Sequence, residues 1–219
     1  MIVGATSWQI PGTYLENVRL IAGHADFVEL LIYTWDEDTR RLLDLEWPVM
    51  QAVCPLSIHL PTDSLDHIEA ALDYFREKEV YRLTMHPIPP LGETLYLYHR
   101  YQEVYPGKLL LENLENDYFD RMLTESDPSL LSFTFDVGHF LLLKRDVPTF
   151  FQQWRRQIRE VHFHGIAGNK DHALPDPDAI RTFKNWMKRF DSDNEIPVCV
   201  ELFEWVHTAA VLKELKDDR

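Results

Sequence analysis

The stretch SFTFDVGHFLL (132–142), followed after one helical segment by REVHFHGIAGNKDH (159–172), decides how this chain is read. Each piece opens as an apolar, β-branched and aromatic run, the composition of a buried strand. Each run ends in groups that bind divalent cations: Asp136 in the first, His162 and His164 in the second. His139, Lys170, Asp171 and His172 follow in the adjoining loops. Strands that finish in metal-binding side chains, repeated around a closed sheet, build a metal site at one mouth of a barrel.

Outward from this stretch, six further strand-like runs can be marked: IVGAT (2–6), FVELLI (27–32), PLSIHL (55–60), YRLTMH (81–86), KLLLEN (108–113) and PVCVEL (197–202). Segments of helical periodicity separate all eight. They are YLENVRLIAGH (14–24), DTRRLLDLEWPVMQAV (38–53), SLDHIEAALDYFREKE (64–79), TLYLYHRYQEVY (94–105), DYFDRMLTESDPSLL (117–131), VPTFFQQWRRQI (147–158), DPDAIRTFKNWMKRF (176–190) and WVHTAAVLKELKDD (205–218). Capping residues open several of them, notably Asp38, Asp63 or Ser64, and Asp176 to Asp178 around Pro177. Eight β/α units without a linker predict an α/β protein with one domain over 1–219, a (β/α)₈ TIM barrel. The main alternative, an open doubly wound sheet, would place a glycine-rich phosphate loop after its first strand. Here that strand runs into Gly4-Ala5-Thr6-Ser7-Trp8, and no such loop occurs in the sequence.

The 22 Lys and Arg against 36 Asp and Glu give a formal charge of -14. A surface this acidic repels phosphate backbones at long range, so general nucleic-acid binding is not expected. A phosphate-bearing small molecule stays compatible, because bound cations reverse the local sign. Cys54 and Cys199 fall at strands and read as buried thiols of a reducing compartment. With no secretory leader and no long apolar run, the expectation is a cytoplasmic protein that does not enter membranes.

Function in such barrels gathers at the C-terminal ends of the strands. Those ends here are Glu29, His59, His86, Glu112, Asp136, His162 with His164, and Glu201. Six of the ten histidines sit at this one rim. Side chains two apart on a strand share a face, so Ser57, Thr84, Leu110, Thr134 and Cys199 should form the layer beneath. Ile58, Met85, Leu111, Phe135 and Val200 should face the helices. Three carboxylates with four or more imidazoles exceed the needs of one zinc ion, which argues for two or three divalent ions bridged by a carboxylate. Such clusters suit phosphodiester hydrolysis. Glu29 reads equally as a substrate contact or as a partner behind a ligand, and His164 as a substrate or phosphate contact. Lys170 and Lys144 are loop cations, with a lesser reading as contacts to an anionic substrate.

The rim pattern of His, His, Glu, Asp-x-x-His, His and Glu resembles the xylose-isomerase-like barrels, and within them the branch of endonuclease IV-type apurinic-site nucleases. The resemblance implies Zn or Mn held by His59, His86, Glu112, Asp136, His139, His162, His172 and Glu201, with Glu112 bridging. That branch has an Asp two residues before its last loop His, where this chain has Lys170; Asp171 stands next to His172 instead. A two-metal site, or Asp171 in the vacant role, follows. Closer still, GATSWQIPGTYLENVR, ADFVELLIYTW, SIHLPTD, LENLE, FDVGHFLL and VHFHGIAGNKDHALP resemble the cobamide-remodelling phosphodiesterases. This resemblance implies hydrolysis of the nucleotide loop of an adenosylcobamide to adenosylcobinamide phosphate and a riboside. Glu112, Asp136 and Glu201 would hold metals, Glu201 or Asp171 would orient water, and Glu29, His164 and Lys170 would meet substrate. The competing readings are a sugar isomerase or epimerase with one metal at Glu112, Asp136, His162 and Glu201, an apurinic-site endonuclease-like hydrolase, and a non-catalytic metal- or corrinoid-binding module.

Overall fold

A computed structural model describes residues 1–191 and 195–217. Eight parallel strands close into a barrel: β1 (Val3–Thr6), β2 (Phe27–Leu31), β3 (Leu56–His59), β4 (Leu83–Met85), β5 (Leu109–Glu112), β6 (Phe133–Asp136), β7 (Ile158–Phe163) and β10 (Val198–Val200). They pair in chain order, and β10 returns to lie beside β1. Every strand expected from the sequence is present, within two residues at its ends.

The helices are α1 (Tyr14–Ile21), α2 (Glu37–Val53), α3 (Leu65–Phe75), α4 (Leu91–Gln102), α5 (Tyr118–Glu125), α6 (Val137–Leu142), α7 (Val147–Trp154), α8 (Pro177–Phe190) and α9 (Trp205–Lys216). Local chemistry fixes their starts. Ser64 caps α3 through the His67 amide, and Asp176 caps α8, whose first residue is Pro177. The cap of α2 is Asp36 rather than Asp38, its Oδ1 accepting from the Thr39 amide at 2.7 Å. Asp218, the last residue of the expected final helix, lies outside the described residues.

Three elements go beyond the sequence reading. The segment after α5 ends in a 3₁₀ turn at Pro128–Leu130. The chain leaves β6 directly into α6, because Asp136 itself caps that helix by accepting the His139 amide at 2.6 Å. Between β7 and α8, β8 (Gly165–Ala167) and β9 (Lys170–Ala173) form an antiparallel hairpin where only a loop was expected.

The alternation along the strands sorts as the period of two requires. Phe135 packs outward against Phe140, Phe150 and Phe151 of α6 and α7. Thr84 and Thr134, from strands that are not neighbours, meet inside the barrel with hydroxyls 3.0 Å apart. The N-terminal end is filled by the Phe27 ring, whose atoms lie 2.4 Å from where a β-carbon on Gly4 would stand; only glycine admits it there. The β6–β7 register shifts after Phe133, so exposed Arg159 bulges out and Thr134 faces Glu160. That bulge turns Glu160, and then His162, into the barrel.

Candidate metal centre

Glu112, at the end of β5, sits at the middle of the mouth. Its Oε2 lies 3.3 Å from His59 Nε2 and 2.9 Å from His86 Nε2. Its Oε1 lies 2.9 Å from His162 Nδ1. Glu201 from the end of β10 brings Oε2 to 3.1 Å from the same His162 nitrogen, and its Oε1 is 3.5 Å from His172 Nε2. His139 Nε2 is 3.6 Å from Glu115 Oε2 and 3.7 Å from Asp171 Oδ2. Asp136 Oδ1 is 3.2 Å from His164 Nε2.

These side chains fall into overlapping groups whose ligand atoms all lie within 4.8 Å of one another. The groups are His59-His86-Glu112, Glu112-Asp136-His162-Glu201, His139-His164-His172 and Glu115-His139-Asp171. Glu112 belongs to the first two, one oxygen facing each. Two donors held tetrahedrally at ~2.1 Å from a zinc ion are about 3.4 Å apart, and the separations at this mouth bracket that value.

The hydrogen bonding makes the same point. Glu112 Oε2, Asp136 Oδ2, Glu201 Oε2, His162 Nδ1 and His164 Nε2 are buried and have no hydrogen-bond partner among the described residues. They touch one another without an aligned proton between them. Uncompensated buried charges cost several kcal/mol each, so a set of converging lone pairs fits cations and not a hydrogen-bonded network. The residues present therefore fit divalent metal ions.

The backbone aims the rings. His59 Nδ1 faces its neighbour's carbonyl, Leu60 O, at 3.2 Å, and His139 Nδ1 faces Asn113 O at 3.1 Å. Donation from Nδ1 leaves each Nε2 lone pair pointing into the mouth. Asn113 bonds both backbone groups of Asp136, accepting from its amide at 2.9 Å and donating to its carbonyl at 2.8 Å, and so locks the end of β6 to β5. Gly138 is required because the His164 ring would be 2.1 Å from a β-carbon there. His172 adopts φ 48°, a left-handed conformation that turns its ring back over His164 at 4.2 Å.

Burial alone would push the carboxyl of Glu112 up, but the His162 charge and contacts to His162, His59 and His86 hold it well below the usual range. Glu201 is likewise held low by His162 and His172 against the opposing effect of burial. Burial would lower His162, yet Glu29, Glu112 and Glu201 carry it well above its ordinary value. His172 is raised to about 9, burial opposing and Glu201 dominating. His86 alone goes down, burial outweighing Glu112.

All eight residues expected as metal ligands converge here. Glu29, read equally as a substrate contact or as a partner behind a ligand, takes the second position, and His164 lies deeper than a substrate contact would. Glu29 is 0% exposed and lies beneath His162, its Oε2 3.3 Å from Nε2, so it has no face toward an incoming molecule. His164 is also buried, against Asp136 and under His172. Lys170 is exposed on β9. Lys144 is likewise exposed, at φ 56° just past α6.

Two contributors were missed. Glu115 lies three residues after Glu112 in LENLE, on the same loop, and that proximity was a usable signal. Glu160 precedes His162 by two and so belongs to the inner layer, where it joins Glu29, His162 and Cys199 in a fully buried group. Its carboxyl is pushed well above the usual range by burial and by Glu29.

No family model matches the chain. It is 36% identical over 47 residues to inosose dehydratase from Lacticaseibacillus casei, a match spanning 22% of this chain and 16% of that protein. Over almost its whole length it is similar in structure to two solved proteins. A sugar phosphate isomerase/epimerase from Parabacteroides distasonis aligns with TM-score 0.71 and 13% identity over 96% of both chains. An AP endonuclease, family 2, from Brucella melitensis aligns with TM-score 0.68 and 15% identity over 100% of both. The shared architecture is the closed eight-stranded (β/α) TIM barrel. No helix among the described residues is long and apolar enough to cross a membrane.

Proposed function

We propose that this chain is a divalent-metal-dependent phosphodiesterase that hydrolyses the nucleotide loop of an adenosylcobamide, with zinc or manganese as the cation. One observation carries the reading: Glu112 lies between two ligand groups, one oxygen toward His59 and His86, the other toward His162. Such an arrangement suits a carboxylate that bridges two cations. The sequence motifs set out above support the substrate class. His59, His86 and Glu112 would hold one ion, and Glu112, Asp136, His162 and Glu201 a second. His139 and His172, on the Asp171 side of the mouth, would complete the ligand set.

Bound cations supply Lewis acidity toward the phosphoryl oxygens and lower the pKa of water. The chain contributes the rest. Glu201, nearly buried between His162 and His172, orients the attacking water. Asp171, 37% exposed beside His139, is placed to carry the water's proton toward the departing riboside oxygen. Water oxygen bonds to phosphorus, the phosphorus–oxygen bond to the ribose breaks, and the proton ends on that ribose hydroxyl. Glu29 holds His162 from behind and does not meet substrate. The acidic surface disfavours duplex nucleic acid as the partner.

Incubation with adenosylcobalamin and Mn or Zn, followed by mass spectrometry, should yield adenosylcobinamide phosphate; intact substrate with every metal would contradict the proposal. A second reading, a sugar isomerase or epimerase, is favoured by Glu112, Asp136, His162 and Glu201 forming a self-sufficient four-ligand group. It expects one metal ion per chain.

A further inference from the structure

The mouth holding the ligands has a volume of about 180 Å³, below the ~300–1,000 Å³ of sites that enclose a small molecule. The body of any substrate must therefore rest elsewhere. A second hollow of about 710 Å³ opens beside it, lined by Trp8, Gln9, Ile10, Tyr14, Leu42 and Phe203 among others.

Two aromatic pairs form the partition between these spaces. Trp8, on the large cavity, meets Tyr33, on the mouth, edge to face at 4.7 Å, and Tyr33 lies 6.3 Å from His59. Phe203, on the large cavity, stacks on His172 of the mouth at 5.0 Å. Trp8 is 53% exposed and Phe203 38%, so both rings offer free area. Trp8 also takes φ 73°, a conformation that a bulky residue adopts only when its surroundings impose it.

Gln9 supplies the polar feature. Its Nε2 donates to the carbonyls of Thr6 and Leu202, tying the ends of β1 and β10 together. Its Oε1, on a residue only 5% exposed, is left as a buried acceptor without a partner among the described residues. A ligand N–H or O–H would satisfy it. The charged groups at the edge are already engaged: Arg41 pairs with Asp38 at 3.2 Å, and Asp36 caps α2. The cavity thus offers aromatic faces and one buried acceptor.

We infer that this cavity receives a planar aromatic heterocycle carried on a ribose, whose hydroxyls supply the hydrogen-bond donor, while its phosphate lies at the metal centre. Assigning it as the departing riboside of a cobamide rests on the phosphodiesterase reading; the cavity and its walls do not.

The test is calorimetric titration of metal-loaded protein with a benzimidazole riboside, comparing wild type with Trp8→Ala, Phe203→Ala and, as a control away from the cavity, Leu45→Ala. Metal content is measured in each. Stacking on both rings predicts about five- to 150-fold weaker binding in each of the first two variants, with metal content and the control unchanged. Equal affinity in all four proteins, or no saturable binding to metal-loaded wild type, overturns the inference. Cobamide turnover with an unaltered KM in both aromatic variants overturns it while sparing the phosphodiesterase reading. Riboside binding that depends on Trp8 and Phe203, with cobamide left intact, sustains it and removes that reading.

Discussion

The two ends of the barrel each carry a hollow, and they differ in kind. The hollow at the N-terminal end, about 380 Å³, is roomier than the ligand-bearing mouth, about 180 Å³, though smaller than the aromatic cavity of about 710 Å³ beside that mouth. Its polar groups are used up: Lys108 donates to the Val80 carbonyl at 2.7 Å, and burial pushes the Cys54 thiol up to about 11, leaving it protonated. The mouth is smaller and holds carboxylates and imidazoles in contact without aligned hydrogen bonds. Volume therefore does not locate the site; convergence of unsatisfied donors does. Substitutions at the two ends should separate accordingly.

Glu112→Gln removes the carboxylate shared by two ligand groups. Metal affinity should fall by well over the ~10–100-fold typical of a residue that only supports a ligand, measured by competition with a chelator. Glu29→Gln should give a loss within that ~10–100-fold range, because Glu29 acts on the ligand cluster through the far nitrogen of His162. Should Glu29→Gln raise KM while metal binding stays intact, Glu29 belongs with substrate after all. Gly138→Ala forces a β-carbon into the His164 ring, an overpacking that costs about 1–3 kcal/mol. The melting temperature should drop by about 2–4 °C per kcal/mol.

The pH response of metal-free protein is a subtler discriminator. A raised imidazole pKa stabilises the fold below the unfolded value of 6.5, and the gain disappears as pH climbs through the folded value. For His172 that window runs from 6.5 to about 9. His59, His139, His162 and His164 are raised too, while His86 works in the opposite sense. Melting temperature with chelator should decline from pH 6 to pH 9, and added zinc should flatten the decline. At the other end, Lys108→Ala should leave metal content unchanged and cost about 1–3 kcal/mol in a denaturant titration.

Much of this was legible in the chain. Strand ends such as LSIH and FTFD announce both the sheet and the group presented at its edge, because a period of two makes Ser57 and His59, or Thr134 and Asp136, share a face. The ligand cluster could be read for the same reason. What could not be read depends on contacts across the fold. The bulge at Arg159, which brings Glu160 inward, arises from a register between β6 and β7. Glu29 showed its identity but not its depth, since nothing in FVELLI says that His162 will cover it. The hairpin carrying Lys170 to His172 has the composition of a loop, and only its pairing makes it β structure.

Elemental analysis of protein reconstituted with zinc or manganese and then freed of loose ions addresses the central claim most directly. The account predicts at least two tightly held divalent ions per chain, falling to one or fewer in Glu112→Gln. A single ion in wild type, retained by that variant, would contradict it.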